Sequence, residues 1–120
     1  MHRIAIVEDD FYFRQLLVTW LSDNYQVVDF DNPQGLLASI DRGDLFDLIL
    51  SDIAMPFMDG WELINQVRQN PALRDIPSFA LSAHVTEADQ RKVLAAGFDE
   101  HLRKPIDLEV LVDKIEEYLH

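Results

Sequence analysis

The stretch LILSDIAMPFMDG, residues 48–60, contains an aliphatic run that ends at a serine and an acid. This run gives the clearest indication of the fold class. Apolar side chains follow one another directly in LIL instead of alternating with polar ones. That pattern is typical of a parallel-sheet strand whose two faces are both covered by helices. A Met-Pro pair and an Asp-Gly pair follow, and both are frequent in turns. We therefore predict a strand over residues 47–51, with the carboxylate of Asp52 directly after its carboxyl end.

Further short apolar runs lie on both sides of this strand, and each is followed by a segment with helical periodicity. Strands are predicted at Arg3–Val7, Gln26–Phe30, 78–83 and 100–104. Strands that alternate with helices predict an α/β fold with a parallel sheet between two helical layers and right-handed crossovers. A chain of 120 residues fits one domain, residues 1–120.

Local signals mark where the helices begin and end. Asp10, Asn32, Thr86 and Asp107 are typical first caps, and Gly97 is a typical stop. In the first helix, four large apolar side chains recur at helical spacing, namely Phe13, Leu17, Trp20 and Leu21.

Composition excludes several classes of function. The chain has no cysteine, so disulfides, thiolate metal sites and cysteine catalysis are excluded. Its net charge of −12 comes from 22 acids against 10 scattered Lys and Arg residues, so we expect no direct nucleic acid binding. No apolar run reaches the ~20 residues of a membrane span, and the N-terminus does not read as a signal peptide. We expect no membrane insertion and a cytoplasmic location.

Polar residues gather where the predicted strands end. Glu8 and Asp9 follow the first strand, Asp52 the third, Ser82 lies on the fourth and Lys104 on the fifth. Ligands of such sheets bind beyond the carboxyl ends of the strands. Clustered carboxylates need protons or a cation, and Mg²⁺ prefers oxygen ligands. Lys104 and the Ser82 hydroxyl suit phosphoryl oxygens, and an aspartate can form an acyl phosphate. We therefore predict Mg²⁺-assisted phosphoryl transfer to Asp52.

Each of these residues also has a plainer interpretation. Asp52 is a possible turn residue, Ser82 a strand-end hydroxyl and Lys104 a surface lysine. Asp10 is assigned to the helix cap, which leaves the metal role to Glu8 and Asp9. Their joint order favours a site over a set of unrelated residues.

The segments IAIVEDD, DLILSDIAMPFMDG, ALSA and LRKP carry a family resemblance over essentially the whole chain. The sequence resembles the receiver domain of bacterial two-component response regulators. The resemblance implies a flavodoxin-like (βα)5 three-layer sandwich with a five-stranded parallel sheet in the order 2-1-3-4-5, for which a member of this family serves as a standard example.

The resemblance also implies roles for the site residues. Asp52 accepts a phosphoryl group from a phosphohistidine on a histidine kinase or a histidine phosphotransfer protein. Asp9, Asp52 and the backbone carbonyl of Ala54 bind Mg²⁺ directly, Mn²⁺ can replace it, and Glu8 acts on the ion through water. Lys104 pairs with the phosphoryl group, and its bond to the following proline is cis.

The implied response to phosphorylation is a conformational switch. Ser82 binds a phosphoryl oxygen and moves together with an aromatic residue on the fifth strand, which remodels the face of helix four, strand five and helix five. A homodimer through that face is possible. The chain takes part in phosphoryl transfer and self-dephosphorylation, but is not a multiple-turnover enzyme.

Three positions depart from the common pattern or vary near the site. His101 stands where Tyr or Phe is usual, and it is either the switch residue or an exposed polar residue on a partner-binding face. Ala54 lacks a side chain that positions water. His84 is either a water-positioning group or a loop residue without a role.

Two other functions remain alternatives. A degenerate receiver would act as a protein-interaction module without phosphorylation. A Mg²⁺-dependent phosphatase with an aspartyl intermediate usually has a second aspartate two residues after the first, where this chain has Ala54. The chain ends with the last predicted helix, so we expect either a stand-alone regulator or a receiver from a larger regulator or hybrid kinase.

Overall fold

The computed structural model describes residues 1–53, 60–83 and 86–119. Within these ranges five parallel strands form one sheet in the order β2-β1-β3-β4-β5. The predicted flavodoxin-like α/β fold and its strand order are therefore confirmed. The strands are β1 (Arg3–Val7), β2 (Gln26–Phe30), β3 (Leu48–Asp52), β4 (Ser78–Ser82) and β5 (Glu100–Arg103).

One helix follows each strand, and the helices cover both faces of the sheet. Residues of α2, α3 and α4 belong to one buried cluster, and residues of α1 and α5 belong to the other. This arrangement confirms the predicted three-layer sandwich. The helices are α1 (Phe11–Leu21), α2 (Pro33–Asp41), α3 (Gly60–Gln69), α4 (Glu87–Ala96) and α5 (Leu108–Leu119).

The central strand β3 is buried along its whole length. Leu48 and Leu50 pack into the cluster under α1 and α5, while Ile49 packs into the cluster under α2, α3 and α4. Each such side chain contributes roughly 1.5–3 kcal/mol of hydrophobic stabilisation. The strand ends one residue later than predicted, since Asp52 pairs in register with Leu81 of β4. The candidate phosphoacceptor is thus held by the sheet itself.

Gly60 fixes how α3 begins beside the end of β3. Its backbone N–H donates to the carbonyl of Ile53 at 2.8 Å. A Cβ at this position would lie 2.7 Å from both the Asp52 carbonyl oxygen and the Ile53 Cα. Only glycine therefore lets the helix approach the strand so closely at the residue that carries the candidate site.

The predicted caps are present. Asp10 accepts from the backbone of Tyr12 and Phe13, Asn32 accepts from Gly35, and Thr86 forms a capping box with Asp89. The Asp107 side chain accepts from two backbone N–H groups at the start of α5. Gly97 ends α4 with a φ of 120°, a conformation that favours glycine.

Trp20 shares the helical spacing of the apolar residues in α1 but lies outside the buried stripe of that helix. Its side chain is 46% exposed, while Leu17 and Leu21 are buried and Phe13 is half-buried. The buried stripe of α1 repeats every four residues, which places Trp20 beyond its edge. Among the residues the structure describes, no helix combines the length and apolar character needed to cross a membrane.

Candidate functional site

Three carboxylates meet at the carboxyl edge of the sheet. Glu8 and Asp9 follow β1, Asp52 ends β3, and one oxygen from each lies within 4.8 Å of the others. They meet because β1 and β3 are neighbours, although their sequence positions are far apart. Glu8 is fully buried, Asp52 is nearly so, and Asp9 is exposed. Ligands of doubly wound sheets bind at this edge, next to the point where strand order reverses.

Lys104 reaches this cluster from the end of β5. Its Nζ lies 2.5 Å from Glu8 Oε1 and 3.3 Å from Asp52 Oδ2. The backbone N–H of Lys104 donates to the Ser82 carbonyl at 2.8 Å, and the Lys104–Pro105 bond is cis. The ammonium also lies 4.7 Å from the centre of the Phe13 ring, a cation–π contact that the sequence pattern did not indicate. The structure thus brings Lys104 to the acids, as predicted.

Burial and charge act in opposite directions on this cluster. Burial raises the pKa of Glu8, the Lys104 ammonium lowers it and the Asp52 carboxylate raises it, and the net result is a pKa of about 7. For Lys104, burial lowers the pKa, but the hydrogen bond to Glu8 and the charge of Asp52 together raise it above its ordinary value. One ammonium therefore faces three carboxylates, and burial works against the ionised form of Glu8.

The donor set fits a hard divalent cation. Glu8, Asp9 and Asp52 offer carboxylate oxygens that converge, and Mg²⁺ typically binds through one or two carboxylates and water. A cation would also offset the excess negative charge beside Lys104. Ala54, the other predicted ligand, lies outside the described residues, as do His84 and the predicted turn after Asp52.

Ser82 and His101 form a pair on the neighbouring strands β4 and β5. Ser82 Oγ and His101 Nε2 are 2.8 Å apart. The imidazole is 8% exposed, so the alternative that His101 is an exposed residue on a partner-binding face is wrong. Its position on β5 turns it inward, where burial lowers its pKa and the Asp89 carboxylate partly opposes that effect. Ser82 and His101 were both predicted as candidate switch residues, but no sequence pattern predicted the hydrogen bond between them.

A cavity of about 340 Å³ lies between the site and α4. Asp52, Ser82, His101 and Lys104 line its polar side, while its apolar lining includes Trp61. Trp61 packs edge-on against Phe98, as expected for a helix-face residue, and the ammonium of Lys92 lies 5.0 Å from its ring. No sequence pattern indicated this cavity, because its walls come from five separate elements.

A family model described as the response regulator receiver domain matches residues 4–116. An uncharacterized 14.6 kDa protein of Leptolyngbya boryana is 38% identical over 96% of this chain and 88% of its own length. The transcriptional regulatory protein PcoR of Escherichia coli is 35% identical over 96% of this chain, which spans only 50% of that relative. Histidine kinase 1 of Arabidopsis thaliana is 39% identical over 64% of this chain and 6% of its own length.

Solved structures share the whole fold. The chemotaxis protein CheY4 of Vibrio cholerae is 28% identical and superposes with a TM-score of 0.92 over 99% of both chains. The receiver domain of the sensor histidine kinase PA1611 of Pseudomonas aeruginosa is 25% identical and has a TM-score of 0.88, over 98% of this chain and 96% of that one. That receiver holds a magnesium ion in its active site cleft.

Proposed function

The chain belongs to the response regulator receiver domain family, and we propose that it is a phosphoacceptor of a two-component phosphorelay. In this proposal Asp52 accepts a phosphoryl group from a phosphohistidine on a histidine kinase or histidine phosphotransfer protein. The observation that carries it is the convergence of Glu8, Asp9 and Asp52 around Lys104 at the carboxyl edge of the sheet. Separate carboxylates and a lysine from three strands make a site for an anion and a cation together.

The geometry suggests a role for each group in the transfer. An Asp52 oxygen forms a bond to phosphorus while the phosphorus–nitrogen bond breaks, and the departing imidazole keeps the electron pair and takes up a proton. Lys104 already lies 3.3 Å from Asp52 Oδ2, so its ammonium is placed to pair with the phosphoryl oxygens. Glu8, Asp9 and Asp52 would hold a Mg²⁺ or Mn²⁺ ion, whose charge would offset that of those oxygens.

Release of the phosphoryl group would be hydrolysis of the acyl phosphate, which returns Asp52 to its carboxylate. The chain would then act as a signalling switch and not as a multiple-turnover enzyme. Ser82 lines the same cavity as Asp52 and contacts His101, so a phosphoryl group bound by Ser82 would be felt on β5. We propose that the signal leaves through α4, β5 and α5.

Two exposed apolar surfaces suit protein partners. Phe11, Tyr12 and Leu16 are exposed on α1, which begins directly after the acids of β1. A protein that brings a phosphohistidine to Asp52 would cover this helix. Leu94 and Val110 are exposed on α4 and α5, the two helices of the proposed signalling face, through which a homodimer could form. The net charge of −12 argues against nucleic acid as a direct partner. We propose a cytoplasmic location for the chain.

Phosphorylation by a small phosphodonor tests the proposal. The protein is incubated with Mg²⁺ and acetyl phosphate, and intact mass is measured. We expect one added phosphoryl group in the wild type and in Asp75→Asn, which removes an exposed acid just before the start of β4, at the edge of the sheet opposite the site. Asp52→Asn should abolish the addition, because the amide is not a nucleophile of comparable strength.

Two results would count against the proposal. Phosphorylation that persists in Asp52→Asn would place the phosphoacceptor elsewhere. A wild type that neither binds Mg²⁺ at millimolar concentration nor takes up phosphoryl would instead favour a degenerate receiver that works by protein interaction alone.

A further inference from the structure

His101 is more deeply enclosed than a partner-facing residue needs to be. Its Nε2 lies 2.8 Å from Ser82 Oγ, and its Nδ1 is buried without a hydrogen-bond partner among the described residues. Asp89 lines the same cavity, but its side chain accepts from the backbone N–H of Thr86 at 3.1 Å in the capping box. The two ring nitrogens therefore have different surroundings.

This asymmetry decides which nitrogen carries the proton. A neutral imidazole has one N–H donor and one acceptor nitrogen, and the partner of each nitrogen selects the tautomer. Orphaned buried donors are rarer in proteins than acceptors with an unused lone pair. Burial also lowers the pKa of His101, which favours the neutral ring. The proton accordingly belongs on Nε2, and Nε2–H donates to Ser82 Oγ.

We propose that His101 is a positioning residue for phosphoryl transfer, because its Nε2–H bond to Ser82 keeps the hydroxyl hydrogen of Ser82 off the imidazole, so that this hydrogen can turn toward the phosphoryl group. This inference rests on the proposed phosphorylation of Asp52. If Nε2 were the acceptor, the Ser82 hydrogen would point at the imidazole. Ser82 would then present only lone pairs to an anion, and the contact would be repulsive.

The bond also strengthens Ser82 as a donor. A hydroxyl that accepts one hydrogen bond is polarised and donates a stronger one, especially where water is excluded. His101, Ser82 and the phosphoryl oxygen thus form a chain in which every hydrogen points toward the negative charge. A phenylalanine at position 101, the common family choice, offers no such donor.

Nitrogen NMR of the imidazole tests the tautomer without any phosphorylation. The four histidines are distinguished by comparing the wild type with His101→Gln. When the imidazole is neutral, we expect the Nε2 of His101 to carry the proton and Nδ1 to have the nitrogen chemical shift of an unprotonated ring nitrogen. A protonated Nδ1 beside a bare Nε2 would overturn the proposal, whatever the result of phosphorylation.

Kinetics with acetyl phosphate tests the consequence. Loss of one hydrogen bond to a charge-binding donor corresponds to about a tenfold slower phosphorylation of His101→Phe. His101→Gln should recover most of that rate, because its amide can also donate to Ser82, and His2→Gln serves as an exposed control. In a Ser82→Ala background, His101→Phe should cause no further loss, since the group it positions is gone.

The outcomes separate the two proposals. A wild type that is not phosphorylated defeats the proposed function, whereas the NMR result still reports the tautomer. A His101→Phe variant as fast as the wild type would overturn the positioning role. So would an equal loss in the Ser82→Ala background, since a structural effect of position 101 does not depend on Ser82.

Discussion

Two ion clusters at opposite edges of the sheet combine cations and carboxylates in different proportions. At the carboxyl edge, the single ammonium of Lys104 faces the carboxylates of Glu8 and Asp52, with Asp9 beside them. At the amino edge, where β4 and β5 begin, the guanidinium of Arg68 meets the carboxylate of Asp99 at 3.0 Å. One cluster has too much negative charge, and the other is balanced.

The amino-edge cluster is satisfied by its own neighbours. Arg68 donates to the carbonyls of Gly97, Arg74 and Ile76 at 2.7–3.0 Å as well as to Asp99. The Asp99 carboxylate also accepts from the backbone N–H of Ser78 at 2.8 Å. These bonds tie the end of α3 to the starts of two strands. Nothing in this arrangement calls for a ligand.

The two clusters differ in how completely their own neighbours satisfy each charge. A structural ion pair places each charge beside enough partners to replace water. A cluster with surplus carboxylates, one of them fully buried, is held at a cost to stability that a cation or phosphoryl group can offset. The carboxyl edge is therefore the place where the fold holds surplus negative charge that a ligand could offset.

The largest expected effect is the loss of Arg68. Arg68→Ala removes four hydrogen bonds and leaves Asp99 without its charged partner, so we expect a loss of about 3 kcal/mol in the free energy of unfolding. Arg42→Ala is the control, because its ion pair with Asp44 is exposed and 3.9 Å long, and should cost less than about 1 kcal/mol. Urea unfolding measures both. Equal losses of unfolding free energy in the two variants would contradict the structural role assigned to the amino-edge cluster.

A smaller effect should appear in the pH dependence of the metal-free protein. The pKa of Glu8 is raised from 4.5 to about 7, so the folded state holds this proton more tightly than the unfolded state. The resulting stabilisation is fully present below pH 4.5 and is lost as the pH rises through 7.

Glu8→Gln removes this titration. With a chelator present, the wild type should lose on the order of 2 kcal/mol relative to Glu8→Gln across that window. Glu117→Gln, an exposed position, should run parallel to the wild type. Unfolding curves at a series of pH values give the difference in the free energy of unfolding. A difference between wild type and Glu8→Gln that does not change with pH would show that the pKa of Glu8 is not raised in the folded state.

The smallest expected effect is a change in stability that has opposite signs in two variants, one from each cluster. Without metal and above the pKa of Glu8, Asp52→Asn should stabilise the protein by about 1 kcal/mol, because it relieves repulsion among the carboxylates. Asp99→Asn should destabilise it by about 1 kcal/mol, because Arg68 loses its charged partner. Thermal unfolding of the two variants measures both changes. Destabilisation by both would mean that the two clusters are alike.

Much of the fold and part of the site could be read from local sequence. The apolar run before Asp52, the caps at Asp10 and Thr86 and the stop at Gly97 all lie where they were predicted, within one residue. Such signals work because helix and strand patterns depend on near neighbours in the chain. Local patterns did not indicate that Trp20 is exposed, because helical spacing alone does not define the edge of a buried stripe.

The sequence by itself determined the alternation of strands and helices and the fact that acids, Ser82 and Lys104 lie at strand ends. Tertiary structure alone decided that Lys104 contacts Glu8 and Asp52, that His101 is buried, and that its Nε2 meets Ser82. The physical reason is that these contacts join residues from different strands. Their distances follow from the order and register of the sheet and from helix packing, which no local pattern encodes.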